Sequence, residues 1–136
     1  MANTYTIELV RDQKREPAEI EVFEEKSGQS KLTLRVSEKK WEAVADDCFS
    51  ALQGIRRMLE RDALAIYCYG SSRHVFPSGM SRTMGDGRKA YRLSLGQPGR
   101  LADLVDIFTV GSDIELASVE EQEIYFRQWI ASLGKR

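Results

Sequence analysis

Three short runs of alternating hydrophobicity open the chain, and the links between them are too short for anything but hairpins. Tyr5, Ile7 and Leu9 alternate with Thr4, Thr6 and Glu8; Ile20 and Val22, then Leu32, Leu34 and Val36, repeat the pattern. A period of two sets one face of a half-buried strand against solvent each time. The links Asp12 to Ala18, with Pro17, and Lys26 to Ser30, with Gly28, are polar turn segments. Such links favour hairpins over parallel crossovers, so a three-stranded antiparallel meander is expected.

Beyond the meander the period changes. Trp41, Val44, Ala45, Cys48, Leu52, Ile55, Met58 and Leu59 recur at three- and four-residue intervals, which predicts a helix with Ser37 as its cap. Leu64 to Tyr67 is apolar throughout, the pattern of a central strand covered on both faces. Tyr91, Leu93 and Leu95 predict a fifth strand and Leu104 to Phe108 a sixth, with a helical turn around Ser78 to Met84 in the loop before them. Ser118 and Glu121 form a capping box for a last helix, in which Gln122, Tyr125, Phe126, Trp129, Ile130 and Leu133 keep helical spacing up to Gly134. The expected fold is α+β, one domain over residues 1–136, with a mostly antiparallel sheet of five to six strands and two main helices packed on it.

Composition narrows the function. A formal charge of −1 lacks the attraction to phosphate backbones that direct nucleic-acid binding needs. The start MANTYTIELVRD has no basic segment leading into an apolar one, and no apolar run approaches the length of a membrane helix, so a cytoplasmic protein is expected. Cys48 and Cys68 read as buried, inert thiols, and one histidine with two cysteines leaves a zinc site short of ligands. No metal and no cofactor is expected. Trp41, Trp129, Tyr125 and Phe126, on apolar helical faces, read as core.

The charge is sorted by region. Between Tyr67 and Leu95 lie four glycines and the cations Arg73, Arg82, Arg88, Lys89 and Arg92 against one acid, Asp86, whereas Leu101 to Tyr125 carries seven acids and no base. Gly70-Ser71-Ser72-Arg73 and Gly85-Asp86-Gly87-Arg88-Lys89 are readable as phosphate-facing loops, but neither has the P-loop spacing, and the second equally describes a turn entering a hairpin. His74 has neutral-pH chemistry, yet no serine beside it stands in a nucleophile elbow. Met80 and Met84 suit either a turn or an adaptable interface. Asp46 and Asp47 are expected on the first helix, and Glu120, Glu121 and Glu123 in the first turn of the last, where the dipole favours acids. No catalytic residue is assigned. The contact candidates are Arg73, His74, Phe76, Met80 and Arg82 in one patch and Asp103, Asp106, Asp113 and Glu115 in a second.

The C-terminal half, in YGSSRHVFPSGMSRTMGDGRKAYRLSLGQP, LVDIF and LASVEEQEIYFRQWIASL, resembles small bacterial immunity proteins that accompany polymorphic or contact-dependent toxins. The resemblance implies a compact cytoplasmic protein without a cofactor, not an enzyme, that binds a cognate toxin domain and blocks its active site or substrate access. Two alternatives stay open. One is a small enzyme using His74 and the glycine-rich loop on a phosphorylated or nucleotide substrate; the other is an interaction subunit that pairs with itself, for example as a homodimer.

Overall fold

A computed structural model describes residues 3–134. The alternating runs become β1 (Asn3–Arg11), β2 (Lys14–Glu24) and β3 (Ser30–Val36), and a fourth strand, β4 (Lys39–Ala45), continues the meander. With β5 (Leu64–Tyr67) they form a five-stranded sheet in the order β4-β3-β2-β1-β5, antiparallel at every pairing. Ile7, Leu9, Ile20, Leu32, Leu34 and Ile66 point to one face and are buried there with Phe49, Leu52, Ile55 and Leu59 of α1 (Cys48–Glu60). Each such side chain contributes about 1.5–3 kcal/mol of transfer free energy.

The second layer is small. β6 (Val75–Phe76), β7 (Lys89–Arg92) and β8 (Leu104–Asp106) form a three-stranded antiparallel sheet in that order, with α2 (Gly79–Met84) between the first two. α3 (Val119–Leu133) opens with the expected capping box of Ser118 and Glu121 and ends at Gly134. A run of aromatic rings ties this layer to the core. Phe49 meets Phe76 edge-on at 5.0 Å, Phe76 stacks on Phe126 at 4.0 Å, and Phe126 continues to Trp129 at 6.0 Å. The architecture is therefore α+β, mostly antiparallel, with two main helices.

Three expectations are corrected. Ser37 does not cap a helix. It sits at φ 53° in the two-residue turn between β3 and β4, and Trp41, Val44 and Ala45 belong to β4. The same residues also fit a period of two through Trp41, Ala43 and Ala45, which pack on the core while Val44 is half exposed. Asp47 is the actual cap, with its carboxylate accepting from Ser50 N at 2.8 Å and Ser50 Oγ at 3.0 Å, and Asp46 lies outside α1. β5 is also not central. It is the edge strand beside β1, apolar because Leu64 and Ile66 face the core.

Cys48 and Cys68 are free and buried, as expected. Burial pushes the Cys48 thiol up to about 11 and raises that of Cys68. Trp41, Tyr125, Phe126 and Trp129 pack against the core but remain half-buried.

Candidate functional site

Polar residues at the N-terminal end of β6 and the C-terminal end of β7, which are neighbours in the antiparallel pair, gather around Asp113. Tyr69, in a helical turn just after β5, donates its hydroxyl to Asp113 Oδ1 at 2.5 Å. Arg92, at the end of β7, brings Nη1 to 3.6 Å from Asp113 Oδ2, and His74 Nε2 lies 3.7 Å from the same oxygen. The Tyr69 bond is the main reason the Asp113 carboxyl is held below its ordinary value, and it raises the Tyr69 hydroxyl in turn.

The segment that carries Asp113 is strapped to the turn before β6. Ser72 Oγ accepts from Glu115 N at 2.9 Å, Arg73 N donates to Glu115 O at 2.8 Å, and Ala117 N donates to Ser71 O at 3.2 Å. Ser72 Oγ also lies 3.1 Å from His74 Nδ1. Ser72, His74 and Asp113 thus stand in a row, the imidazole within hydrogen-bonding distance of Ser72 Oγ and 3.7 Å from Asp113 Oδ2, but Ser72 is 0% exposed, so no substrate carbonyl reaches its oxygen. Ser72 Oγ serves the strap, through the bond it accepts from Glu115 N.

An open groove of about 430 Å³ runs over this network, lined by His74, Leu93, Ser94, Leu95, Asp113, Glu115 and Tyr125. The exposed Arg73 spreads its guanidinium 5.5 Å from the centre of the Tyr125 ring. Part of each expected patch therefore meets at one place: Arg73 and His74 from the basic loop, Asp113 and Glu115 from the acidic segment.

The remaining candidates lie elsewhere. Phe76 is 8% exposed and stacked between Phe49 and Phe126, so it is core. Arg82 lies 5.1 Å over Phe49 and 5.2 Å over Phe76, bonds Ser50 Oγ at 3.1 Å and approaches Asp47 at 3.7 Å, an anchor for α2. Asp103 pairs locally with Arg100 at 3.4 Å, and Asp106 accepts from Phe108 N at 2.9 Å, closing a turn. Met80 stands out into solvent at 72% exposure beside Met84 at 81%, and both belong to α2.

Both glycine-rich stretches are packing devices. Gly87, at φ +67°, presses on the start of α1, where a Cβ would come within 2.9 Å of Asp47 Oδ1, and Cys48 N donates to Asp86 O. Gly70 lies under Leu52 and Ile107, with no room for a side chain.

Sequence reasoning missed the most buried polar cluster. Arg56, 3% exposed on α1, donates from Nη1 to Gly70 O at 3.0 Å and Gln122 Oε1 at 2.5 Å, and from Nη2 to Ala117 O at 2.9 Å. Gln122 Nε2 reaches Gly70 O, Ser72 O and Val75 O at 2.8 to 3.0 Å. Burial lowers Arg56 to about 10, still cationic at neutral pH. The available signal was an arginine within the Leu52, Ile55, Leu59 stripe and a glutamine on the apolar side of the last helix. No protein-family model matches the chain, and a search of curated proteins found no match.

Proposed function

We propose that this chain is a cytoplasmic immunity protein that neutralises a cognate bacterial toxin domain by binding it and covering its active site or substrate access. The observation that carries this reading is the groove, where Arg73, Glu115 and Asp113 offer charged tips while their bases are fixed. Glu115 is held through both its N–H and its carbonyl, Arg73 through its N–H and the Tyr125 ring, and Asp113 through Tyr69 and Arg92. Backbone fixed before contact loses little entropy on binding. Opposite charges side by side orient a partner more than they attract it in bulk. The resemblance of the C-terminal half to immunity proteins supports the choice of partner.

The enzyme reading needs His74 and the glycine-rich loop to share one substrate, but of its two stretches the nearer one has Gly70 buried under Leu52 and Ile107. His74 accepts from Leu93 N beyond one end of β7, and Gly87 precedes the other end, roughly 15–20 Å away along extended chain. Binding is therefore favoured over that chemistry.

The test is co-expression with the C-terminal domain of the polypeptide encoded immediately upstream, scoring growth and co-purification. Rescue with a stable complex is the expected result. A toxic domain that this chain neither relieves nor binds overturns the proposal.

A further inference from the structure

A further cleft adjoins the strap at Leu116 to Ser118. It has a volume of about 280 Å³, and its walls include Leu64 and Ile66 of β5, Leu116 to Ser118, and Arg56. Backbone geometry decides what β5 offers to it. β1 and β2 are joined by the two-residue turn Asp12 and Gln13, with φ 49° and 66°, and their register runs without a bulge from Arg11↔Lys14 to Asn3↔Val22. Such a turn makes Arg11 and Lys14 the closing hydrogen-bonded pair, so alternate residues Val10 and Glu8 turn their N–H and C=O groups away from β2. Those two are paired with Ala65 and Tyr67. It follows that Leu64 and Ile66 aim their backbone groups out of the sheet, toward the cleft, where they have no hydrogen-bond partner among the described residues.

Arg56 adds donors to the same cleft. A guanidinium has five N–H groups, and three of them are taken, by Gly70 O, Gln122 Oε1 and Ala117 O. Nε–H, like the second N–H of Nη2, has no partner among the described residues. Arg56 lines the cleft although it is only 3% exposed.

Charge selects the occupant. Glu60 and Glu121 also line the cleft, each holding a backbone N–H at the start of α3, Val119 at 2.9 Å and Ser118 at 2.8 Å. An added anion would face two carboxylates against one guanidinium. A neutral acceptor satisfies Nε–H without that repulsion, and a peptide carbonyl is one that comes with the N–H groups a strand edge needs. The other free edge differs: β4 carries Lys39, Lys40 and Glu42, the charged residues that discourage strand addition. β5, with Leu64, Ala65, Ile66 and Tyr67, carries no such guard.

We infer that this cleft receives an extended segment of the partner protein, which pairs with the free edge of β5 and places a main-chain carbonyl on Arg56 Nε–H. The inference rests on the proposed function for the partner's identity, and two measurements separate them. In the first, amide hydrogen exchange is followed by NMR on the chain alone and in complex with the upstream-encoded C-terminal domain. Leu64 and Ile66 should exchange fast when free and roughly tenfold or more slowly in the complex, with a shifted Arg56 Nε–H resonance. A complex that leaves these signals unchanged overturns the inference while upholding neutralisation.

If that domain does not bind, neutralisation fails and the second measurement alone decides the cleft. Short linear peptides are selected from a phage-displayed library on the immobilised chain and mapped by the same signals. Selected peptides that protect Leu64 and Ile66 support strand addition. Peptides that bind elsewhere, or no selection above an unselected background, overturn it.

Discussion

Arg56 on α1 and Gln122 on α3, 66 residues apart, are joined by a buried bond from Nη1 to Oε1. The pair does for the C-terminal half what apolar contact does for the first sheet. Of α3 only Val119 and Gln122 are buried, so the helix is fastened largely through its glutamine and through Phe126 on Phe76. Gln122 also reaches the carbonyls of Gly70, Ser72 and Val75, so one side chain fixes α3, the turn after β5 and the start of β6. The strap depends on that junction.

Replacing Gln122 with leucine keeps the volume but strips an acceptor from a buried guanidinium and a donor from three carbonyls, of which Gly70 O keeps Arg56 Nη1 and Ser72 O keeps Val75 N. Unpartnered buried groups of this kind cost about 1–3 kcal/mol each, and partial relaxation limits the sum to about 2–4 kcal/mol. Urea denaturation should record that loss. A change below about 0.5 kcal/mol, the size of an ordinary surface substitution, would mean that the network does not carry α3.

Arg82→Met should weaken the fold and leave partner affinity alone. The variant loses the cation over Phe49 and Phe76, the Ser50 bond and the approach to Asp47, together worth about 1–2 kcal/mol. Calorimetric titration with the partner domain should give an unchanged Kd. A large loss of affinity at intact stability would return Arg82 to the contact surface.

The contrast with Arg82 explains what the sequence made legible. Period-two runs with short polar links define hairpins by local chemistry, and the capping box of Ser118 and Glu121 is local too, so the meander and α3 were readable. Trp41, Val44 and Ala45 satisfied both periods at once. Only the turn at Ser37 and the cap at Asp47 separate strand from helix there. The site was half readable for a different reason. Charge sorting marked Arg73, His74, Asp113 and Glu115, but the strap that folds the acidic segment onto the basic loop is a tertiary contact between Ser72 and Leu116. Phe76 and Arg82 were misread because a basic, glycine-rich stretch conceals how deeply two of its members pack.

Charge reversal at the groove should act on binding alone. Arg73 and Glu115 are exposed, so Arg73→Glu and Glu115→Lys should each lower affinity for the partner roughly tenfold or more, about 1.4 kcal/mol, with little change in stability. Titration of each variant against the same domain is the check. Unchanged affinity in both would move the contact surface away from the groove.

Asp113→Asn should reveal a pH dependence whose sign is fixed. The carboxyl sits below its ordinary value of 3.8 in the folded chain, first through the Tyr69 hydroxyl. A depressed acid stabilises the fold above its unfolded value, and that contribution disappears as pH falls through the lower folded one. Asparagine keeps the shape and an acceptor for Tyr69 but loses the charge facing Arg92 and His74. The wild-type chain should exceed the variant by no more than about 1 kcal/mol near neutral pH, because the Asp113 side chain is 44% exposed and solvent screens the pair. The difference should shrink as pH drops below 3.8, while Glu115 N–H, tied by the same strap, exchanges faster in the variant throughout the neutral range. Denaturation series of both chains across acid pH measure it directly: a gap that stays constant down to full protonation would show that Asp113 contributes shape and not charge.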